Sequence, residues 1–222
     1  LAVMEQCDVT VLVSAAEREQ LQADAPRVRV ELISNLHEVA GAGAPYAQRH
    51  DLVFVGGFRH PPNLDAMEWF IGEVFAGIRA QLPQVRLHCI GAAAPDSLLA
   101  LAANQPGVEM HGFVEDIVPY MDGARIAIAP LRFGAGVKGK INLSMAHGQP
   151  VVGTTCAVEG MHLQPGQDVL VADDAATFAA EVVRLYQDPQ LWQQLSDAGL
   201  ANVAQHFSLD AARATVQRVF FD

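Results

Sequence analysis

The sequence has almost no lysine. Only two of its 222 residues are lysines, the other 12 basic residues are arginines, and acidic residues outnumber basic ones, so the formal net charge is −11. This balance excludes the broad basic surface of a nucleic-acid-binding protein, because phosphate contacts need clustered cations. We therefore expect no nucleic-acid partner, and any anionic ligand must be held by a local feature.

Cysteine and metal-ligand patterns are also scarce. The three cysteines, Cys7, Cys89 and Cys156, are far apart and lack metal or redox spacing, which fits a reducing cytoplasm. The sequence contains neither an H-E-x-x-H motif nor an Asp-x-Asp triplet, so we expect no bound metal and no cofactor. No uninterrupted apolar run of about 18 residues occurs, which predicts that the chain itself does not span a membrane.

The order of apolar patterns predicts an α/β fold. Short β-branched runs alternate with longer amphipathic runs, which is typical of a Rossmann-like parallel sheet with helices on both faces. The predicted strands are 8–13, 28–33, 52–56, 85–90, 108–110, 126–130, 151–153 and 169–171. A first helix is expected between the first two strands, followed by helices at 63–81, 97–103, 117–121, 140–147, 175–187, 189–206 and 209–221.

A glycine-rich loop between a predicted strand and a predicted helix carries both lysines, Lys138 and Lys140. Such a loop exposes backbone N–H groups at a helix N-terminus, where phosphate binds. We predict that the two lysines and the loop residues contact a phosphate group; the loop residues are Gly134, Gly136, Val137 and Gly139. The alternative is a flexible surface turn with incidental charge. In either case the lysine side chains are expected to be exposed, so that replacing them changes stability little.

A second glycine turn follows strand 52–56 and contains Gly56, Gly57 and Arg59. Asn63 is the predicted N-cap of the helix that comes next. Ligands of parallel α/β sheets bind beyond the carboxyl ends of the strands, so both glycine turns are expected to face one ligand. Turns of this kind also occur without any ligand, and that alternative stays open.

The loop satisfies two other motifs, and each is weakened by its context. G-x-G-x-x-G, with Glu159 about 20 residues later, is typical of NAD-binding folds, but there it opens the first βαβ unit of the sheet. Here several strands precede it, so an NAD-dependent epimerase or dehydrogenase is the lesser alternative. G-x-x-x-x-G-K is typical of ATPases, but Ile141 occupies the position that needs Ser or Thr for magnesium.

Five stretches in this order resemble the C-terminal donor-binding domain of glycosyltransferase family 4, the GT-B-type enzymes also called glycosyl transferases group 1. They are FVGGFRHPPNLDA (54–66), HGFVED (111–116), APL (129–131) with GVKGK (136–140), AHGQPVVGT (146–154) and LYQDP (185–189). The resemblance implies sugar transfer from a nucleoside diphosphate sugar to a saccharide or lipid-linked saccharide. It further implies bacterial surface-polysaccharide or glycoconjugate synthesis, in the cytoplasm or at the inner face of the membrane.

The resemblance also implies a domain layout. Residues 1–35 are expected to be a remnant of the N-terminal acceptor domain, 36–51 a linker, 52–206 the donor domain and 207–222 a C-terminal helix. Most of the acceptor domain would then lie outside this chain, so the fragment alone is expected to be inactive. By resemblance, Lys138 and Lys140 meet the charge of the departing diphosphate, and Phe113 lies near the nucleotide base; for Phe113 a core position is the alternative.

The chain departs from the family pattern around both turns. Ala135 and Leu143 occupy the positions of two glutamates in typical members, and the second glutamate usually contacts the ribose. Gly57 and Pro62 stand where typical members have an Arg and a Lys. Arg59 and the two lysines are candidates to replace the lost charge. A non-catalytic nucleotide-binding or interaction domain therefore remains an alternative.

Overall fold

The structure is a computed structural model that describes residues 2–221; Leu1 and Asp222, the ends of the predicted acceptor remnant and C-terminal helix, lie outside the described residues. All eight predicted strands are present. β1 (Thr10–Leu12) and β2 (Val30–Leu32) form a two-stranded parallel sheet. The main sheet is parallel throughout and contains β3 (His50–Val55), β4 (Leu87–Ile90), β5 (Val108–Gly112), β6 (Ala124–Ala129), β7 (Val151–Gly153) and β8 (Leu170–Val171). The predicted α/β fold is confirmed.

The helices follow the predicted order with small changes at their ends. They are α1 (Ala15–Asp24), α2 (Pro61–Trp69), α3 (Phe75–Gln81), α4 (Asp96–Ala103), α5 (Val118–Gly123), α6 (Gly139–Ala146), α7 (Thr155–Val158), α8 (Ala175–Gln187), α9 (Pro189–His206) and α10 (Leu209–Phe220). A π-helical turn, Phe70–Val74, joins α2 to α3. The short helix α7 was not predicted, because four residues are too few to show an apolar period.

The predicted N-cap at Asn63 is wrong. The N-cap of α2 is His60, so Pro61 and Pro62 occupy the first helical positions. Proline is favoured there because the first N–H groups of a helix have no intrahelical acceptor and the proline φ angle is already helical. Asn63 is thereby moved into the first turn, where its side chain is buried and free for another contact.

The main sheet separates two apolar layers. Alternate residues of β3 point to opposite faces, so Leu52 and Phe54 belong to one layer and Val53 to the other. Side chains of α2, α3 and α8 cover the first layer, and side chains of α5 and α6 cover the second. The chain is therefore buried on both sides of the sheet, as an all-parallel sheet requires.

The order of the strands in the main sheet is β5-β4-β3-β6-β7-β8. The first strand of this sheet along the chain is β3, which lies in the middle. The chain then adds β4 and β5 on one side of β3, and afterwards adds β6 on its other side. The connections that leave β3 and β6 therefore run in opposite directions. A crevice opens between the carboxyl ends of two such strands, and open α/β sheets bind ligands there.

Arg49 fastens the segment before the main sheet to the rest of the fold. Its side chain is fully buried, and its guanidinium donates to the carbonyl oxygens of Met121 (2.6 Å) and His147 (2.6 Å), near the ends of α5 and α6. Further hydrogen bonds reach the carbonyl oxygens of Ala42, Ala44 and Ala124. The end of the predicted linker is thus packed into the domain, and β3 begins at His50, two residues before the predicted start of the domain.

Replacing Arg49 by methionine should destabilise the fold strongly. Methionine fills similar space but leaves buried carbonyl oxygens without donors, each of which costs about 1–3 kcal/mol. We expect the free energy of unfolding in urea to fall by at least about 3 kcal/mol. The matched control is Arg27→Met, at an exposed position, which should change stability by about 0.5 kcal/mol or less. Equal stability of the two variants would contradict this account of Arg49.

Candidate functional site

The two glycine turns meet at the carboxyl ends of β3 and β6. Between them lies a cleft of about 180 Å³, called here the glycine cleft, which is lined by His60, Pro62, Asn63, Leu131, Phe133, Gly134, Ala135, Val137, Lys138, Gly139 and Lys140. The first three of these residues come from the turn after β3 and from α2, and the others come from the loop after β6 and from the start of α6. The structure brings the two turns together because the strand order places β3 beside β6, and that they face one ligand stays a prediction.

Lys140 joins the two turns. Its ammonium donates a hydrogen bond to the Asn63 side-chain oxygen and lies 4.5 Å from the centroid of the Phe54 ring. Burial, and secondarily the charge of Lys138, lowers the pKa of Lys140 from 10.5 to about 8. The ammonium is therefore held in a poorly solvated position, and a nearby anion would restore its affinity for the proton.

Lys138 supports the loop from within. It is 8% exposed, and its ammonium donates to the carbonyl oxygens of Gly136 (2.8 Å) and Gly134 (3.3 Å). Its backbone N–H donates to the Met161 sulfur at 3.1 Å. The expectation that both lysines lie exposed on a surface turn is wrong, because the loop folds back over its own lysines and α2 covers the other side.

The glycines permit this close approach. A Cβ atom on Gly56 would lie 2.7 Å from the Asn63 amide nitrogen and 2.9 Å from the Lys140 ammonium, so a side chain there would push the pair apart. Gly136 has a φ of 76° and Gly134 a φ of 129°, conformations that residues with a Cβ rarely adopt. The glycine pattern thus shapes the cleft as well as the loop.

The neighbouring residues extend the glycine cleft outwards. Gly57 and Arg59 line an adjoining groove of about 860 Å³, which shares His60 and Asn63 with the cleft. Phe113 is 77% exposed, so the alternative of a core position for this residue is wrong. Its placement near a nucleotide base stays a prediction.

The chemistry of the cleft favours an anion. Lys138 and Lys140 contact carbonyl and amide oxygens, which carry no formal charge, so these contacts leave both ammonium charges uncompensated. Helix α6 begins at Gly139, directly after Lys138 at the N-cap. A lysine side chain cannot accept hydrogen bonds, so it does not cap the N–H groups of Gly139 and Lys140 at the start of α6, which remain for another acceptor. Two cations and a helix N-terminus together suit a phosphate group.

Residues 49–188 match the family of glycosyl transferases group 1. This chain belongs to that family. The match runs from Arg49 before β3 to the end of α8 and includes both glycine turns, the two lysines and the exposed Phe113.

A curated relative from Klebsiella pneumoniae, an uncharacterized 44.6 kDa protein in cps region, is 26% identical over 140 residues. The match covers 60% of this chain and 36% of the relative. The match thus spans little more than a third of that relative's length.

Solved structures share the fold of this group 1 chain. Staphylococcus aureus TarM matches with a TM-score of 0.81 at 11% identity, over 99% of this chain and 45% of TarM. Anabaena Alr3699/HepE matches with a TM-score of 0.74 at 14% identity, over 96% of this chain and 62% of HepE. Sucrose-phosphate synthase from Thermosynechococcus elongatus matches with a TM-score of 0.72 at 18% identity, over 99% of this chain and 59% of the synthase. The GT-B type of fold is confirmed, and the chain spans less than two thirds of each of these structures.

The NAD-binding alternative loses its structural support. In dinucleotide-binding sheets the G-x-G-x-x-G fingerprint follows the strand of the sheet that comes first along the chain. That strand is β3 here, and the turn after it reads GGFRHP (56–61), whereas the fingerprint follows β6, the fourth strand. The glycines after β6 therefore sit on the wrong side of the switch point for that role.

Metal-ligating side chains come together away from the glycine cleft. His88 on β4 and Glu109 and His111 on β5 offer ligand atoms that lie within 4.8 Å of one another. Sequence analysis missed this group because its members are on different strands and show no motif spacing. In the part of the chain described, residues 2–221, no helix is long and apolar enough to cross a membrane.

Replacing Lys140 by methionine should stabilise the protein at neutral pH. The folded state lowers the Lys140 pKa from 10.5 to about 8, so between these values the unfolded state binds more protons and this group's contribution to stability rises with pH. Below about pH 8 the cost of burying the charge is fully present. We expect Lys140→Met to raise the free energy of unfolding by about 1–2 kcal/mol at about pH 7 and by less at about pH 10, measured by urea unfolding.

The control for this change is Arg59→Met, which removes an exposed cation from the rim of the same site and should show no such pH dependence. A Lys140→Met variant less stable than the parent at every pH would show that the contacts of the ammonium outweigh its burial.

Proposed function

We propose that this chain is the donor-binding half of a two-domain glycosyltransferase, and that it binds a nucleoside diphosphate sugar in the glycine cleft and the adjoining groove. The acceptor is a saccharide or lipid-linked saccharide hydroxyl, and the remaining part of the catalytic cleft comes from an N-terminal domain of the same polypeptide. The cps region of the Klebsiella relative supports a role in polysaccharide synthesis.

One observation carries the proposal. In a chain with a net charge of −11, the only two lysines enter the same cleft at the switch point of the sheet, and both contact uncharged oxygens. Burying a cation costs solvation free energy unless a group of opposite charge compensates for it. A diphosphate in the cleft would do so, because charge-assisted hydrogen bonds to phosphate are stronger than those to neutral oxygens.

The proposed chemistry follows from this arrangement. Glycosyl transfer proceeds through an oxocarbenium-like transition state in which the bond from the anomeric carbon to the diphosphate oxygen breaks and negative charge grows on the leaving diphosphate. The acceptor hydroxyl oxygen bonds to the anomeric carbon, and its proton is released to solvent. Lys138, Lys140 and the N–H groups at the start of α6 are placed to meet that charge. The electrostatic stabilisation of the diphosphate is larger in the transition state than in the bound substrate, which is the condition for catalysis.

A second candidate is a nucleotide-binding domain without catalysis. Leu143 supplies no carboxylate for the ribose hydroxyls, and Ala135, which lines the glycine cleft, likewise replaces a family glutamate. A hydrocarbon side chain cannot accept a hydrogen bond, so any ribose contact must come from another group. Both candidates require the diphosphate site, and they differ in whether transfer follows binding.

Methionine at Lys138 or Lys140 should weaken UDP binding. UDP is the first ligand to test because TarM, HepE and the pneumococcal O-GlcNAc transferase GtfA were each determined in complex with UDP. A charge-assisted hydrogen bond contributes about 1.5–3 kcal/mol, so we expect each variant to bind about 10- to 100-fold more weakly by calorimetry. Parallel titrations with GDP, ADP and NAD identify the base and test the dinucleotide alternative.

The control for the binding experiment is Arg18→Ala on α1, which should leave the affinity unchanged. UDP affinity of the parent should also fall above about pH 8, where Lys140 loses its proton, and this fall should be absent in Lys140→Met. If the Lys138→Met/Lys140→Met double variant binds UDP, GDP and ADP as the parent does, the loop is only a turn and the proposal is wrong.

The chain alone should bind the nucleotide without transferring sugar. The cleft in the proposed enzyme forms between two domains, and this chain supplies one of them. We expect no product above background when UDP-sugars and saccharide acceptors are incubated with the chain, and transfer when the full-length polypeptide is used. Transfer by the chain at the full-length rate would refute the proposed division into domains, while binding without transfer by either protein would favour the non-catalytic candidate.

A further inference from the structure

We propose that His88, Glu109 and His111 form a zinc-binding site on the edge of the main sheet, with water as the fourth ligand. The site lies on β4 and β5 and is separate from the glycine cleft, whose lining over the described residues includes none of the three. The proposal does not depend on the function of that cleft.

The distances between the ligand atoms fit a single ion. His88 Nδ1 lies 3.0 Å from His111 Nε2 and 3.2 Å from Glu109 Oε2, and His111 Nε2 lies 3.6 Å from the same carboxylate oxygen. Ligands of tetrahedral zinc at about 2.0–2.2 Å are separated by about 3.3–3.5 Å. The three atoms therefore already form one face of such a tetrahedron, with little rearrangement needed.

The second ring nitrogens are positioned as zinc sites require. His88 Nε2 lies 3.5 Å from Asp51 Oδ2, and His111 Nδ1 lies 3.4 Å from the Tyr120 hydroxyl. In the tautomer that carries a proton on each of these nitrogens, the inner nitrogens, His88 Nδ1 and His111 Nε2, have lone pairs directed at each other and at the Glu109 carboxylate. Three acceptors then face one point, an arrangement that calls for a cation. Carboxylate partners behind ligating histidines are common in zinc sites.

The surroundings keep this set of ligands in place. The backbone N–H of Arg86 donates to Asp51 Oδ1 at 2.8 Å, and its guanidinium contacts Asp51 Oδ2 (3.2 Å) and Glu109 Oε1 (3.1 Å), so that Glu109 Oε2 remains for the ion. The Tyr120 ring covers the two imidazoles at centroid distances of 4.9 and 5.7 Å. The Glu109 side chain is 36% exposed, which leaves solvent access for a water ligand. The two carboxylates and Arg86 carry a combined charge of −1, which favours a divalent cation.

Zinc is the metal of choice for two imidazoles and one carboxylate in this geometry. The ion would link the edge strand β5 to β4 by bonds that the backbone ladder does not supply. Since zinc would bind only the folded arrangement of these residues, it should also stabilise the protein.

The experiment uses the whole chain, stripped of metal with EDTA and dialysed. Calorimetry with ZnCl₂ should show one ion per chain with a dissociation constant on the order of micromolar. Co²⁺ should give the intense visible bands of a four-coordinate site, and zinc should raise the melting temperature. His88→Gln, Glu109→Gln and His111→Gln should each weaken zinc binding at least about tenfold.

The matched control is His206→Gln, which disrupts another histidine pair, stacked on His162 at a centroid distance of 4.3 Å, and should leave zinc affinity unchanged. Circular dichroism of each variant shows whether it is folded, and UDP titration in EDTA and in zinc keeps this test separate from the glycine cleft. No binding of Zn²⁺ or Co²⁺ by the folded parent, equal affinity in the three cluster variants, or loss of binding in His206→Gln would each overturn the proposal.

Discussion

The candidate site depends on the burial of one ammonium group. Lys140 reaches from the start of α6 across to Asn63 in α2, so a single hydrogen bond joins the elements that follow β3 and β6. This position costs solvation, which lowers the pKa of Lys140 to about 8. Functional sites often hold such unfavourable charges because a ligand of opposite sign restores the lost energy. The absence of a Cβ at Gly56 permits this position, and the affinity proposed for a diphosphate follows from it.

The strand order explains why sequence analysis could predict that the two glycine turns come together. Glycines, lysines and β-branched runs are local signals, and they identified eight strands and both turns. Their meeting in space followed from a general rule, since carboxyl ends of parallel strands share one edge and a switch point opens between β3 and β6. Local pattern plus that rule was sufficient to place Gly56, Gly134 and Lys140 together. It did not reveal that the loop closes over its own lysines.

Most of the features that were missed depend on contacts between distant segments. Arg49 looked like the end of a linker, yet its buried guanidinium donates hydrogen bonds to carbonyl oxygens of residues more than 70 positions away. Asn63 has the residue type of an N-cap, but two prolines set the start of α2 and free the amide for Lys140. His88 and His111 are 23 positions apart and meet only through the register of β4 with β5. Burial and strand register determine which of these residues meet, and the local spacing of residues in the sequence predicts neither.

Charge is distributed so that the two proposed sites use opposite chemistry. The glycine cleft gathers uncharged oxygens around two ammonium groups and is left with positive charge, whereas the cluster on β4 and β5 gathers carboxylates and imidazoles and is left with negative charge. The loss of carboxylates at Ala135 and Leu143, relative to typical family members, also leaves the glycine cleft more positive. A glutamate at either position would lie near the lysines in sequence and could compensate part of their charge. Without it, the proposed diphosphate would be held by charge, and any contact to the ribose would have to come from another group.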